Sequence, residues 1–430
     1  MLLKLAAYYL SLHYWSAASS ASIKKMQVRK FKKLFENARR NSIFYREFYG
    51  DHGILDLKIE SFDDIRRVPA TNKALLKNYS IRNIMTHNMD EKTRVHSTSG
   101  STGEPFKIAF SKFEDYSAHV RLTKALMENR YLPFKKIVLL SRYEPGHEFG
   151  IESDLKKIGW LQKKIGWFRY ELISIFDPVE TIIQKLEQIK PFVIWSTPSI
   201  IEIIALELKN TSRKLDIPLV LLMAENISPA LLHLFRERIG KNFIDLYGCA
   251  ESPSIGFGSN QSDVKKIFSN STLVEVINKR QMGAIVIGDI IITNLINHSM
   301  PLIRYDLDDY AEVLDNDSFP ARRIGKIFGR CEDVIHFGDH YILAFHQTYQ
   351  LFSDFHECEQ YKFVEKTPGK IVLQLKVNEK ADKEKVKSMA MRRWAEKYPG
   401  YPLTIEWRKA FPMDKKTGKF KVIEKIGNPA

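Results

Sequence analysis

Between Phe113 and Gly248, helix-like and strand-like segments take turns, and this alternation limits the fold more than any other feature of the chain. Phe113–Leu132 reads as a helix and Lys135–Ser141 as a short apolar strand. Asp177-Pro178 resembles an N-cap followed by a first-turn proline. Behind it Ile182, Ile183, Leu186 and Ile189 recur at helical spacing until Pro191 closes the helix. Phe192–Trp195, Ile217–Glu225 and Asn242–Gly248 read as further strands, with helices opening at Thr197-Pro198 and Ser228-Pro229. Strands separated by crossover helices pair in parallel, so the expected class is α/β, with helix-covered, mainly parallel sheets.

Beyond Arg330 the pattern changes. "DVIHFGDHYILAF" reads as a hairpin turning at Gly338-Asp339. The segments "KFVEK" and "GKIVLQLKV", a helix near Asp382–Tyr398 and the strand "LTIEW" complete an α+β module the size of a small domain. At 430 residues the chain exceeds one ordinary core. The expected division is an N-terminal amphipathic segment over residues 1–27, a large domain over 28–330 and a small C-terminal domain over 331–430.

The balance of 66 basic against 51 acidic residues, a net +15, favours anionic partners such as nucleotide phosphates or anionic lipid. No RNA- or DNA-binding motif accompanies it, so a nucleic-acid partner is not expected. The three cysteines form no C-x-x-C pair, which argues against a zinc site or a disulfide framework and fits a reducing, cytoplasmic setting. The apolar run of "MLLKLAAYYLSLHYWSAASSAS" is short and broken by Tyr, Ser and His, a poor signal core and too polar to span a bilayer. It reads as an amphipathic helix suited to peripheral contact with the inner face of a membrane. The basic stretch Ser22–Arg40 fits either a solvated helix face or a patch touching an anionic surface.

Three segments and one lysine carry candidate chemistry. In Thr98-Ser99-Gly100-Ser101-Thr102-Gly103, glycines allow close backbone approach to an anion and hydroxyls add donors. The same composition suits a surface turn, and no Lys follows Gly103 as a Walker loop requires. "DLYGCAES", Asp245–Ser252, ends a predicted strand; Tyr247 could stack on a purine, Gly248 permits a sharp turn and Glu251 could hold a hard cation. A core Tyr and a surface Glu are the plainer reading. In "RYDLDDYAEV" and "GRCEDVI", Asp309 could accept ribose hydroxyls and Arg330 could pair with ribose or phosphate. Alternatively, Arg304 and the Asp cluster form surface ion pairs. Lys419, on a Gly-containing turn, is either a phosphate partner or a solvated lysine.

Together and in order, these segments resemble the adenylate-forming, acyl-CoA synthetase superfamily. "STSGSTGEP" resembles its Ser/Thr/Gly-rich phosphate loop, "YGCAES" its Tyr-Gly-x-Thr-Glu motif and "RYDLDD" its Arg-Tyr-x-Thr-Gly-Asp motif. "GRCEDVI" resembles the Gly-Arg-x-Asp-Asp hinge and "KKTGKFK" the C-terminal motif with the catalytic lysine. "FENARRNSIFYREFYGDHG" and "VPATNKALLKN" point to the branch of phenylacetate-CoA ligases and CapK-like capsular polysaccharide proteins.

The resemblance implies ATP-dependent activation of a small carboxylic acid, with Mg2+, in surface polysaccharide or related biosynthesis. The acceptor is then a thiol or amine: CoA, a carrier protein's phosphopantetheine, or a sugar amine. It implies that Thr98 to Gly103 bind phosphates, with Asp245, Tyr247, Gly248 and Glu225 at the nucleotide and Tyr247 stacked on adenine. Glu251 would bind Mg2+ and Asp309 the ribose, assisted by Arg330. Glu332 or Asp333 would be the hinge, and a mobile small domain would bring Lys419 to the α-phosphate. Ala250 replaces the family's Thr, and Leu307-Asp308 replace its Thr-Gly pair. A catalytically reduced nucleotide-binding relative is the alternative these departures allow.

Overall fold

The computed structural model describes residues 1–90, 93–97, 106–141, 169–227, 229–260, 263–282, 285–314, 320–330, 335–337, 341–343, 348, 351, 357–378, 381–411 and 422–426. The chain opens with α1 (Leu2–Ala17), α2 (Ser20–Asn41) and α3 (Ile43–Asp51), then three short helices, α4 (Phe62–Arg67), α5 (Lys73–Lys77) and α6 (Ile81–Ile84). From α2 to α6, each starts behind a Ser or Asn whose side chain accepts a first-turn N–H: Ser19, Ser42, Ser61, Asn72 and Ser80. These caps satisfy amides that a helix leaves unpaired, so short helices form where propensity alone would not hold them. α2 runs unbroken through residue 27. It and α3 bury Phe31, Leu34, Phe35, Phe44, Tyr45 and Tyr49 in one aromatic-rich core.

β1 (Arg94–Ser97) and β2 (Lys107–Phe110) form an antiparallel pair, followed by α7 (Lys112–Glu128), which begins with a Ser111/Glu114 capping box. Alternating elements follow: β3 (Lys136–Ser141), β4 (Arg169–Ser174), α8 (Val179–Ile189), β5 (Val193–Ser196), α9 (Pro198–Asn210), β6 (Leu219–Met223), α10 (Pro229–Arg238), β7 (Phe243–Tyr247), β8 (Gly256–Ser259) and β9 (Lys265–Ile267). Strands β4, β3, β5, β6 and β7 pair in parallel in that spatial order, and β8 and β9 extend the sheet antiparallel. Apolar residues of α8, α9 and α10 cover one face, including Ile182, Ile201 and Phe235. α7 covers the other with Leu122 and Leu126, joined by Tyr8 and Leu12 of α1.

A second sheet follows, which the sequence pattern had not marked and which is antiparallel: β10 (Thr272–Met282), β11 (Ile285–Asn294), β12 (Tyr305–Glu312) and, after β13 (Arg323–Ile324) joins the large sheet, β14 (Ile327–Arg330). The α/β class holds, but of the eight-stranded sheet and this second sheet only the former is mainly parallel. The C-terminal elements are β15 (Ile335–Phe337), β16 (Tyr341–Leu343), β17 (Cys358–Thr367), β18 (Lys370–Val377), α11 (Lys383–Lys397), β19 (Leu403–Trp407) and β20 (Ile423–Lys425). They enclose a core of their own, in which Trp394 stacks on Phe363 with ring centroids 5.6 Å apart. β15 and β16 pair antiparallel as the hairpin reading expected, although Gly338 and Asp339 lie outside the described residues.

One local expectation and one alternative reading need correction. Pro178 is the N-cap of α8 rather than its first residue, and Asp177 binds Lys185 Nζ at 2.7 Å instead of capping. Nor is Arg304 at the surface. Its guanidinium is buried and donates to both oxygens of Glu275, at 3.0 and 2.9 Å, and to the carbonyls of Arg66 and Val68. Glu275→Ala would strand that cation in the core and should lower the free energy of unfolding by about 3–5 kcal/mol. Urea titration would measure this, and an unchanged midpoint would contradict it.

Candidate active site

The site begins where β7 ends. After Tyr247 the chain folds back sharply, with Ile255 N–H donating to the Tyr247 carbonyl at 2.8 Å and Cys249 N–H to the Ser252 carbonyl at 3.3 Å. A Cβ at Gly248 would lie 2.6 Å from the Ser254 nitrogen, so only glycine allows this close return. From behind, buried Arg121 of α7 donates to the carbonyls of Ser254 at 3.0 Å and Pro253 at 2.6 Å. Its remaining donors reach Ser117 and the Tyr8 hydroxyl of α1. The turn presents Glu251, 8% exposed, whose Oε1 accepts from the Tyr305 hydroxyl at 3.3 Å. Burial, reinforced by the Glu251 charge, pushes the Cys249 thiol well above its ordinary range, so this thiol stays protonated and unreactive.

β12 meets the same turn. The Tyr247 hydroxyl donates to Asp309 Oδ2 at 2.8 Å, and Asp309 pairs in register with Arg330 of β14. The side chain of Arg330 is outside the described part of that residue. Asp308 takes a left-handed φ of 60°, with its N–H on Asp306 Oδ1 at 2.8 Å. Asp is among the few residues that tolerate this region, so it can stand where the resembled motif has Gly. At the end of β6, Glu225 accepts the Ser199 N–H at 3.0 Å, an otherwise unpaired amide of the first turn of α9. Burial, with Glu225 beside it, pushes the Glu202 carboxyl up to about 7. A Cβ at Gly329 would lie 3.6 Å from Asn226 Nδ2, which sets the end of β6 against β14.

Ala224, Ser254, Arg304 and Asp308, all with positive φ, stand beside or near Glu225, Glu251, Tyr305 and Asp309. Each conformation costs energy that the surroundings must offset, and such residues gather at functional sites. The cluster lies beyond the carboxyl ends of parallel strands, where α/β sheets bind ligands.

The structure therefore brings Glu225, Tyr247, Gly248, Glu251, Asp309 and the Arg330 backbone toward one region. Asp245 is turned to another partner, Lys265 Nζ at 2.6 Å, which opposes the rise that burial imposes on its carboxyl. Thr98 to Gly103, Glu332, Asp333 and Lys419 lie outside the described residues. β1 and β2 flank the first of these segments, and His96 of β1 is joined to Asp115 of α7 at 2.8 Å. Among the described residues no three His, Cys, Asp or Glu side chains form a metal cluster. Sequence reading missed Arg121, Glu202, Lys265 and Tyr305 as supporting residues. Only Tyr305 carried a signal, its place inside "RYDLDD".

No family model matches the chain. Phenylacetate-coenzyme A ligase of Pseudomonas putida is 21% identical over 328 residues, covering 74% of this chain and 73% of that protein. The chain is similar in sequence to the phenylacetate-coenzyme A ligases. Its fold agrees: 2-hydroxyisobutyryl-CoA ligase, solved in the postadenylation state with 2-HIB-AMP, superposes with a TM-score of 0.74 at 16% identity. That match covers 94% of this chain and 89% of the ligase. The same ligase with 2-HIB-AMP and CoA in the thioesterification state gives 0.58 at 17% identity, over 95% and 90%. Asp308, with its left-handed φ, is the informative departure from the resembled motif. Asp308→Gly should keep or raise stability, by up to about 1 kcal/mol, whereas Asp308→Val should cost about 1–2 kcal/mol. Equal thermal midpoints for the two variants would contradict the backbone argument.

Proposed function

We propose that this chain is an ATP- and Mg2+-dependent ligase that activates a small carboxylic acid and passes its acyl group to CoA or another thiol or amine. The observation that carries the reading is the meeting of Tyr247 and Asp309 beside Glu251, at the carboxyl end of the sheet. In this reading Asp309 would accept ribose hydroxyls, with Tyr247 fixing its carboxylate, and Glu225 would serve the adenine edge. Mg2+ usually takes one or two carboxylates plus phosphate oxygens and water, so a lone Glu251 fits it. When bound, the ion neutralises charge on the phosphates.

In the first half-reaction a carboxylate oxygen of the acid attacks the α-phosphorus, the bond to the β-phosphate bridge oxygen breaks, and pyrophosphate leaves. An anion thus approaches a polyanion, so positioning and charge neutralisation dominate the barrier. The 98–103 loop would supply amide and hydroxyl donors, and Lys419 an ammonium on the α-phosphate. In the second half-reaction a thiolate or amine attacks the acyl carbon and AMP departs. We assign that step to a small domain, residues 331–430, turning about Glu332 or Asp333. The similar ligase is itself solved in a postadenylation and a thioesterification state. The CapK-like resemblance of the N-terminal segments supports a role in surface polysaccharide building.

Acid-dependent ATP–pyrophosphate exchange tests the proposal, with phenylacetate and small hydroxy acids in the panel. At least one acid should support exchange, and Lys419→Ala should slow it by about a hundredfold or more. No exchange with any acid would overturn the assignment. An unaffected Lys419→Ala variant would overturn the mechanism.

A further inference from the structure

α1 is a helix with two apolar faces. One is used: Tyr8 and Leu12 are buried against α7 and the sheet, and the Tyr8 hydroxyl meets Ser271 and Arg121. The other is bare. Leu3, Leu10 and Tyr14 are 87%, 68% and 67% exposed, and Ala6, Ala7 and Ala17 lie exposed along the same side of the helix. Steps of three, four and seven residues place them in a single stripe. From Leu3 to Tyr14 it is about 16 Å long. Among the described residues no helix is long and apolar enough to cross a membrane.

Charge distinguishes between the possible occupants of this stripe. The first acidic residue of the chain is Glu36, and seven Lys or Arg precede it. On α2, Phe31, Leu34 and Phe35 face inward while Lys24, Lys25, Arg29 and Lys33 are exposed. A second copy of this chain would present the same uncompensated positive charge, and a two-fold contact would set like against like. An anionic bilayer is complementary on both counts. Its headgroups attract basic side chains, and its acyl boundary accepts a shallow apolar stripe.

We propose that α1 and the basic face of α2 dock this protein onto an anionic lipid surface, with Leu3, Leu10 and Tyr14 entering the headgroup boundary. The contact needs no unfolding, because the opposite face of α1 keeps its packing. It is also independent of the adenylation chemistry.

Flotation of the full chain with vesicles tests it. Phosphatidylcholine vesicles carrying phosphatidylglycerol should bind the protein at low salt, and binding should weaken as salt rises. Pure phosphatidylcholine should bind much less. Leu3→Ser/Leu10→Ser/Tyr14→Ser should weaken binding at least about tenfold, with circular dichroism and thermal midpoint unchanged. Lys24→Glu/Lys25→Glu/Lys33→Glu should also weaken it. The proposal fails if the wild type does not bind anionic vesicles, if it binds both vesicle types equally, or if either triple variant binds as tightly as wild type. A concentration-dependent dimer that the first triple variant abolishes would assign the stripe to a second copy instead.

Discussion

The buried fork between Arg304 and Glu275 holds together the parts on which the site depends. Its guanidinium joins β10 to the carbonyls of Arg66 and Val68. Next to it, the Thr71 N–H reaches the Arg304 carbonyl at 2.9 Å and the Asp306 N–H reaches the Thr71 carbonyl at 2.8 Å. The N-terminal helical segment is thereby fixed to the start of β12, which presents Tyr305 to Glu251 and Asp309 to Tyr247. Burial acts to raise the Glu275 carboxyl, and the neighbouring guanidinium opposes that rise. Such a pair adds little net stability over an apolar substitute, yet losing one partner is severe. Its value here is geometric, since it aligns two segments that supply the site.

A second, parallel restraint comes from Arg121. It spends its donors on the back of the Glu251 turn and on Tyr8, so the N-terminal helix and the candidate site share one buried cation. Gly248 and the left-handed Ser254 then make the turn tight enough to return beneath Tyr247. The positive-φ residues near Glu225, Glu251 and Asp309 are affordable because these long-range contacts over-determine the backbone.

The parallel sheet was legible in the sequence because its strands are short, apolar and separated by amphipathic helices that begin at or next to a proline. The antiparallel sheet was not. β10 carries Glu275, Lys279 and Arg280 and breaks register between Ile277 and Arg280, which blurs any two-residue alternation. The fork itself was invisible for a related reason: its partners lie 29 residues apart, Glu275 on β10 and Arg304 just before β12. Local patterns carry no record of such pairing, so a surface ion pair stood open as one reading of Arg304. Within the described residues, the turn at Tyr247–Glu251 and the start of β12 were legible as short motifs, whereas the residues that hold them in place, Arg121 and Lys265 above all, look like ordinary charges. Asp308 shows the reverse case, a departure from a motif whose backbone requirement becomes plain only with its φ.

On the proposed reading Asp309, held by Tyr247, grips a nucleotide. Calorimetric titration of the full chain with ATP and Mg2+, beside the Asp309→Ala variant, tests it most directly. Saturable binding is expected, weakening by about tenfold or more when the charged acceptor is removed. Equal affinity in a variant that remains folded would contradict it.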